Sequence, residues 1–363
     1  MKKNENKIKD DNNISIKKEI LKNNYNKSKK LNKFEKYLFI WVAICIAIGI
    51  IISKTIPMIS ELINSMQIRG ISIPIAICLF IMMYPAMLNV SAKELRKLGK
   101  HPHPIILTLI SNWLIAPFVG MYLASIFLQG SEQLIVAIIL LSASPCTAMV
   151  LVWGYLAGGN QEQNIITTSI NTISIIIGYA PLVAILTGIQ NIAIDKIGLL
   201  ISLVVFIGGP LITGIISKKI LINRKGHKWF ENTYRPIISK IAIIALLATL
   251  IVIFSLNGNT IILYPMELIL VSIPLLIGFA IVVSYNILIT KLFKLKYREA
   301  IITVIIGSSS HFEIAIASAV SIYGIGSLAA LGTTMGLFWE VPIMLSLVYL
   351  GKFLKSKKFW KID

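Results

Sequence analysis

Charge is what this sequence has least of. Only 14% of its 363 residues are Asp, Glu, Lys or Arg, where a soluble domain carries about a quarter. Together with 56% hydrophobic residues and a mean hydropathy of +0.80, that shortage excludes an ordinary soluble enzyme and a soluble nucleic-acid binder. Cysteine is scarce as well: Cys45, Cys78 and Cys146 all fall in apolar stretches, so no secreted disulfide framework is written here. No Asp lies deep in an apolar stretch and no His-Glu-x-x-His run occurs. Intramembrane enzymes built on paired aspartates or on zinc therefore lack their residues, and a Cys146–His311 nucleophile and base is the one pairing left to weigh against a carrier. The reading is a non-enzyme with no cofactor and no resident metal.

Long apolar runs are what the chain has instead. Ten stretches of the length that crosses about 30 Å of hydrocarbon can be marked off: 38–56, 68–88, 105–128, 133–157, 164–187, 197–217, 237–256, 267–290, 299–322 and 327–350. With the N-terminus placed in the cytoplasm, the segments on that side hold 32 of the 35 Lys and Arg, and only Lys54, Arg69 and Lys196 fall opposite. This bias predicts an even number of spans in the cell membrane with both termini cytoplasmic. The net charge of +19 is thus read as topology rather than as nucleic-acid binding. Residues 1–37, with 12 Lys against five acids in the first 36, predict a disordered basic cytoplasmic tail, and 351–363 a second basic tail. The first apolar run begins late and lacks a small-residue cleavage pattern, so the first membrane helix is expected to act as the export signal.

Ten spans divide into two halves of five, 38–187 and 197–350. An odd number per half makes any repeat between them inverted, a common transporter plan. The fold class predicted is an all-α polytopic membrane protein of ten transmembrane helices in two inverted five-helix repeats. The fourth stretch of each half is interrupted near its middle, by Ser142-Ala143-Ser144-Pro145-Cys146-Thr147 and by Gly307-Ser308-Ser309-Ser310-His311-Phe312-Glu313. Ser144 before Pro145 has the order of an N-cap and first helical position, and Ser310 with Glu313 has capping-box spacing. Two helix starts at mid-membrane predict two broken helices, the fourth and ninth, around a polar site, because unwound backbone is tolerated there only inside protein or beside a water-filled cavity.

Charge at that depth costs at least ~2.5 kcal/mol per group on insertion scales. Glu313 and Glu340 are the acids well inside spans, with the titratable His311, whereas Glu267 and Glu299 sit at span edges. Glu313 reads as a proton- or cation-coupling carboxylate. Glu340, two residues before Pro342, is open to a structural or a functional reading, and His311 is open to being a satisfied core histidine or, from its place beside the break, a contact for substrate or proton. Cys45 and Cys78 read as apolar filler. Cys146 differs, because a half-helix N-terminus favours thiolate and thiolate favours soft partners such as trivalent arsenic, antimony or copper(I). One thiol is a poor permanent metal site but suits a carrier that must let go. Asn112, Asn171 and Asn286 offer either polar surroundings for a guest or interhelical hydrogen bonds.

Several of these runs carry a family resemblance. Ser144-Pro145-Cys146-Thr147-Ala148-Met149-Val150-Leu151-Val152-Trp153, with Tyr84-Pro85-Ala86-Met87-Leu88, Asn112-Trp113-Leu114 and Phe338-Trp339-Glu340-Val341-Pro342, resembles the arsenical-resistance arsenite efflux permeases, within the superfamily of bile acid, arsenite and riboflavin transporters. The resemblance covers all ten spans. It implies that the broken fourth and ninth helices cross near the midplane, and that the chain exports trivalent arsenic oxyacid by means of the proton gradient. The family's required cysteine falls on Cys146 and its required glutamate on Glu313. The expected substrate-binding residues are Cys146, Ser144, Thr147, Asn112, Ser310 and His311, with Glu313 and Glu340 coupling protons. The expected partners are arsenite or antimonite, protons and the lipid bilayer. The sequence departs from the family at three polar places: Ser310-His311 stands for Asn-Asn, Asn171-Thr172 for Asn-Asp, and Gly159-Asn160 for Gly-Asp. The competing reading on the same fold is a sodium-coupled symporter of organic anions of the bile acid type.

Overall fold

The computed structural model describes residues 38–56, 71–88, 102–147, 149–256, 265–324 and 326–361, with a few further positions between 58 and 68 and at 258. The expected tail at 1–37 lies outside the described residues. The helices are α1 Leu38–Thr55, α2 Ile73–Met87, α3 Pro102–Phe127, α4 Glu132–Ser142, α5 Val150–Leu156, α6 Gln161–Ile189, α7 Lys196–Lys225, α8 His227–Leu256, α9 Pro265–Leu292, α10 Tyr297–Gly307, α11 Phe312–Tyr323 and α12 Leu328–Ser356. A two-residue antiparallel pair, Gln67–Ile68 with Ile71–Ser72, precedes α2.

Six of these helices, α3, α6, α7, α8, α9 and α12, are long and apolar enough to cross a membrane, and shorter apolar helices accompany them. Their outer faces explain why. Ile212 and Ile216 of α7, Ile244 of α8 and Ile269 and Leu288 of α9 are all more than half exposed, a surface that water penalises and lipid accepts. The interior is made differently. Every residue from Leu134 to Leu141 of α4, from Ala300 to Gly307 of α10 and from Phe312 to Val320 of α11 is buried. An apolar helix enclosed on all sides belongs to the middle of a bundle, so the short helices beside the breaks form the centre of this multi-pass membrane protein.

Three long helices contain a π turn, at Ser111–Ile115 of α3, Val204–Gly208 of α7 and Phe230–Tyr234 of α8. Each is followed two residues later by a proline: Pro117, Pro210 and Pro236. A proline ring strikes the carbonyl four residues back, and here those carbonyls belong to Trp113, Phe206 and Asn232, the middle residue of each turn. Widening the turn relieves the clash without breaking the helix. Pro85, Pro181, Pro274 and Pro342 lie inside helices without such a turn, so proline alone does not dictate the widening.

Two sets of helices pack side by side. In one, α2 lies against α7 and α8, and α1 reaches α8 at Gly49, where an added Cβ would stand 2.6 Å from Phe254 Cβ. In the other, α4 packs on α3, α11 and α12, α9 packs on α3, α10 and α12, and α5 packs on α6 and α10. Contact between α7 and α11 joins the sets. Gly226 and Gly324 end α7 and α11 with φ of +85° and +83° and ψ near 160° to 170°, a region open to glycine alone. Gly120 of α3 permits a different kind of contact, because a Cβ there would stand 2.5 Å from Ser142 Cβ at the end of α4. Gly120→Val is therefore expected to cost about 1–3 kcal/mol by overpacking, read as a lowered unfolding temperature of the purified protein; an unchanged midpoint would refute the contact.

The basic C-terminal segment is held rather than trailing. Trp360 is buried and its indole N–H donates to Thr290 Oγ1 at 3.1 Å, while Tyr297 N–H donates to the Lys361 carbonyl at 2.9 Å. Residues 357–361 thus clip onto the loop between α9 and α10. Charge alone reads this stretch as a tail; its two aromatics are what dock it.

Candidate functional site

The helix formed by α4 and α5 is interrupted over residues 143–149, and the one formed by α10 and α11 over 308–311. Short polar side chains compete with helical hydrogen bonding at both places, joined by Pro145 in the first. The interruptions bond to each other. Pro145 and Ser310 form an antiparallel bridge, and His311 N–H donates to the Ser144 carbonyl at 2.7 Å. One backbone N–H that its own helix leaves free is thus taken up by the other break.

The serines do not cap in the direction that their sequence suggests. α5 begins at Val150, with Met149 at its N-cap, so Ser144-Pro145 is not the start of that helix and Cys146 is not in its first turn. Ser144 Oγ instead donates backwards, to the Leu141 carbonyl at 2.8 Å and to the His311 carbonyl at 3.2 Å. A broken helix leaves orphan carbonyls behind the break as well as orphan N–H groups ahead of it, and a hydroxyl can serve the carbonyls. Nor does the Ser310 to Glu313 capping box form: the N-cap of α11 is His311, without a side-chain cap, and Ser310 Oγ donates to Glu340 Oε2 at 3.0 Å.

The second break therefore gathers three titratable side chains. His311 Nδ1 stands 2.8 Å from Glu313 Oε2, both residues are buried, and Glu340 reaches the same break through Ser310. At the first break Cys146 is buried, 4% exposed, in the coil between α4 and α5, and its carbonyl accepts from Asn171 Nδ2 at 3.2 Å. That bond fixes the cysteine's backbone from α6. Thr147 is buried beside it in the chain, and Asn112 is buried within the π turn of α3. Among the described residues, Thr147 Oγ1, Asn112 Nδ2, Asn171 Oδ1 and His311 Nε2 are buried polar atoms without a hydrogen-bond partner.

Hydrogen bonding around the breaks also involves residues outside the expected substrate and proton sites. Ser111 Oγ donates to the carbonyl of Gly307, the last residue of α10, at 2.8 Å; Asn286 Nδ2 in turn donates to Ser111 Oγ at 2.8 Å and approaches Ser308 Oγ at 3.2 Å. Asn164 Nδ2 donates to the Val150 carbonyl at 3.2 Å, tying α5 to α6. Single amides and hydroxyls in apolar helices are the one signal for such partners, and they do not name which helix they reach. A cavity of about 60 Å³, enough for several waters, opens between Gly120, Ser142, Pro274 and Ser308 to Ser310. Cys146 and Glu313 are not in its wall.

Apolar membrane-crossing helices that enclose two mutually bonded breaks, with buried carboxylates beside them, are the architecture of a membrane transporter. Residues 76–264 match the sodium bile acid symporter family. The chain belongs to that family. It is 40% identical over 351 residues to an uncharacterized transporter of Synechocystis sp., covering 91% of this chain and 90% of that protein. It is 35% identical over 332 residues to the arsenical-resistance protein Acr3 of Alkaliphilus metalliredigens, covering 88% and 92% of the two chains. The arsenical-resistance protein Acr3 of Corynebacterium glutamicum is 29% identical over 342 residues, covering 92% of each.

Proposed function

We propose that this transporter exports arsenite from the cytoplasm in exchange for protons, with Cys146 contacting arsenic and Glu313, beside His311, carrying the proton. The observation that carries the reading is the joined pair of breaks, with a buried thiol in the first and, at the second, a buried His311 paired with Glu313 in the first turn of α11. The relatives called arsenical-resistance proteins support arsenic as the cargo. Arsenous acid is neutral near neutral pH, so exchange for an entering proton lets membrane potential and pH gradient both drive export. Ser144, Thr147, Asn112 and Ser310 supply hydroxyl and amide groups for the oxyacid, and Glu340 is the second carboxylate in the relay. The ten helical stretches are read as ten spans in two inverted repeats with both termini cytoplasmic, which puts the site at mid-membrane where water is scarce and a lone polar group matters most.

Antimonite is admitted by the same softness argument. A second reading, sodium-coupled uptake of an organic anion, draws on Asn164 Oδ1, Thr167 Oγ1, Asn171 Oδ1 and Thr147 Oγ1, buried oxygens on or beside α6 without a hydrogen-bond donor and of the kind a hard cation takes. Arsenite uptake into inverted vesicles, with the pH gradient and sodium varied independently, separates the two. Export driven by the pH gradient with no response to sodium is expected. No arsenite flux, or flux that follows sodium and ignores the pH gradient, would reject the first reading.

A further inference from the structure

The ends of α9 and α12 meet in a feature that transport does not use. Residues 291–298 and 351–361 contain Lys291, Lys294, Lys296, Arg298, Lys352, Lys355, Lys357, Lys358 and Lys361 and no acid, and all nine cations are exposed. The clip places the two runs together, through the parallel bridge of Lys296 with Lys361 and the burial of Trp360 on Thr290. Aromatic faces hold some of the lysines in place: Lys291 Nζ lies 4.0 Å from the Phe359 ring centre and Lys355 Nζ 4.8 Å from that of Tyr297. Such contacts reduce the side-chain freedom that a ligand would otherwise have to remove. Leu292, Phe293, Tyr349 and Phe353 stand exposed among the cations, the mixture of apolar and basic side chains found where protein meets headgroups.

Below this cluster, α9 and α12 enclose a groove of about 380 Å³ whose walls include Phe279, Val283, Trp339, Ile343, Ser346 and Leu350. Along α12 the wall runs from Trp339 to Leu350, roughly 16 Å at 1.5 Å per residue, which is about the depth of one leaflet. Lys352 and Lys355 follow directly on α12, and Lys291 at the end of α9 and Lys294 in the loop after it lie beyond the other wall. A leaflet-deep apolar groove capped by concentrated positive charge has the dimensions and the polarity of a phospholipid with a negative headgroup.

We propose that the groove between α9 and α12 holds an anionic phospholipid, with acyl chain against Phe279, Ile343 and Leu350 and phosphate among Lys291, Lys294, Lys352 and Lys355. The wall of this groove includes no residue of either break, and the failure of the lipid proposal would leave the arsenite reading untouched. The full-length protein, purified in detergent, is titrated with phosphatidylglycerol and with phosphatidylcholine and read by native mass spectrometry. Wild type is expected to retain phosphatidylglycerol in preference to phosphatidylcholine. A variant with Lys291, Lys294, Lys352 and Lys355 changed to Gln is expected to lose that preference by up to about fivefold per lysine removed. Ser346→Trp, which fills the groove at an exposed position, is expected to lower retention of both lipids while leaving the four lysines in place. Equal retention of the two lipids by wild type, or an unchanged preference in the lysine variant, overturns the proposal. So does a dimer in wild type that Ser346→Trp dissociates, because the groove would then belong to a second copy.

Discussion

Cells carrying Cys146→Ser are expected to accumulate arsenite like cells with no carrier, with export down at least tenfold at equal protein level, a loss of about 1.4 kcal/mol or more. Serine nearly preserves the shape of cysteine, and the tie from α6 uses the Cys146 carbonyl, which the substitution leaves to Asn171 Nδ2. Folding is therefore not the variable being changed. What is lost is a soft sulfur, and oxygen does not replace it toward trivalent arsenic. Cys45→Ser and Cys78→Ser provide the comparison, since those residues lie in α1 and α2 and belong to neither break, and export by both is expected to match wild type. Full export by Cys146→Ser would remove the thiol from the mechanism whatever the cargo is.

Glu313→Gln is expected to abolish arsenite-linked proton movement in vesicles. The amide fits where the carboxylate was and keeps an oxygen at the distance of 2.8 Å from His311 Nδ1, but it cannot bind and release a proton in the working range. Residual arsenite flux in this variant is expected to be downhill only and indifferent to an imposed pH gradient. Glu340→Gln is expected to be milder, because its oxygen still accepts from Ser310 Oγ and the second break keeps that tie. Proton movement retained in Glu313→Gln would transfer the coupling role elsewhere.

Each apolar stretch of the sequence overlaps a helix, six of the helices are long and apolar enough to cross a membrane, and both interruptions fall on runs of small polar residues, the first with Pro145 among them. These features were legible because length, hydropathy and helix-breaking chemistry are local. The direction of the caps was not. Ser144 and Ser310 each have the spacing of a helix start, yet Ser144 turns back to carbonyls and Ser310 reaches Glu340, 30 residues away in the chain. A cap preference names a group that seeks a partner, and a stronger partner from a distant segment decides the outcome. The same reason hid the links of Ser111 with Gly307 and of Asn164 with Val150. At the C-terminus, a count of lysines obscured the two aromatics that dock the segment. His311, which departs from the family pattern, acquires a physical place only in the structure, as the neighbour of Glu313.

The bond between the breaks also orders the making of the protein. The first interruption is synthesised 167 residues before the residue whose carbonyl Ser144 Oγ reaches, so α4 and α5 are made before the segment that bonds their unwound backbone in the finished protein. Until α10 and α11 are made, the first break lacks the partners that it has in the finished protein. A ribosome stalled between the two segments therefore releases a fragment that lacks the means to finish its own interior.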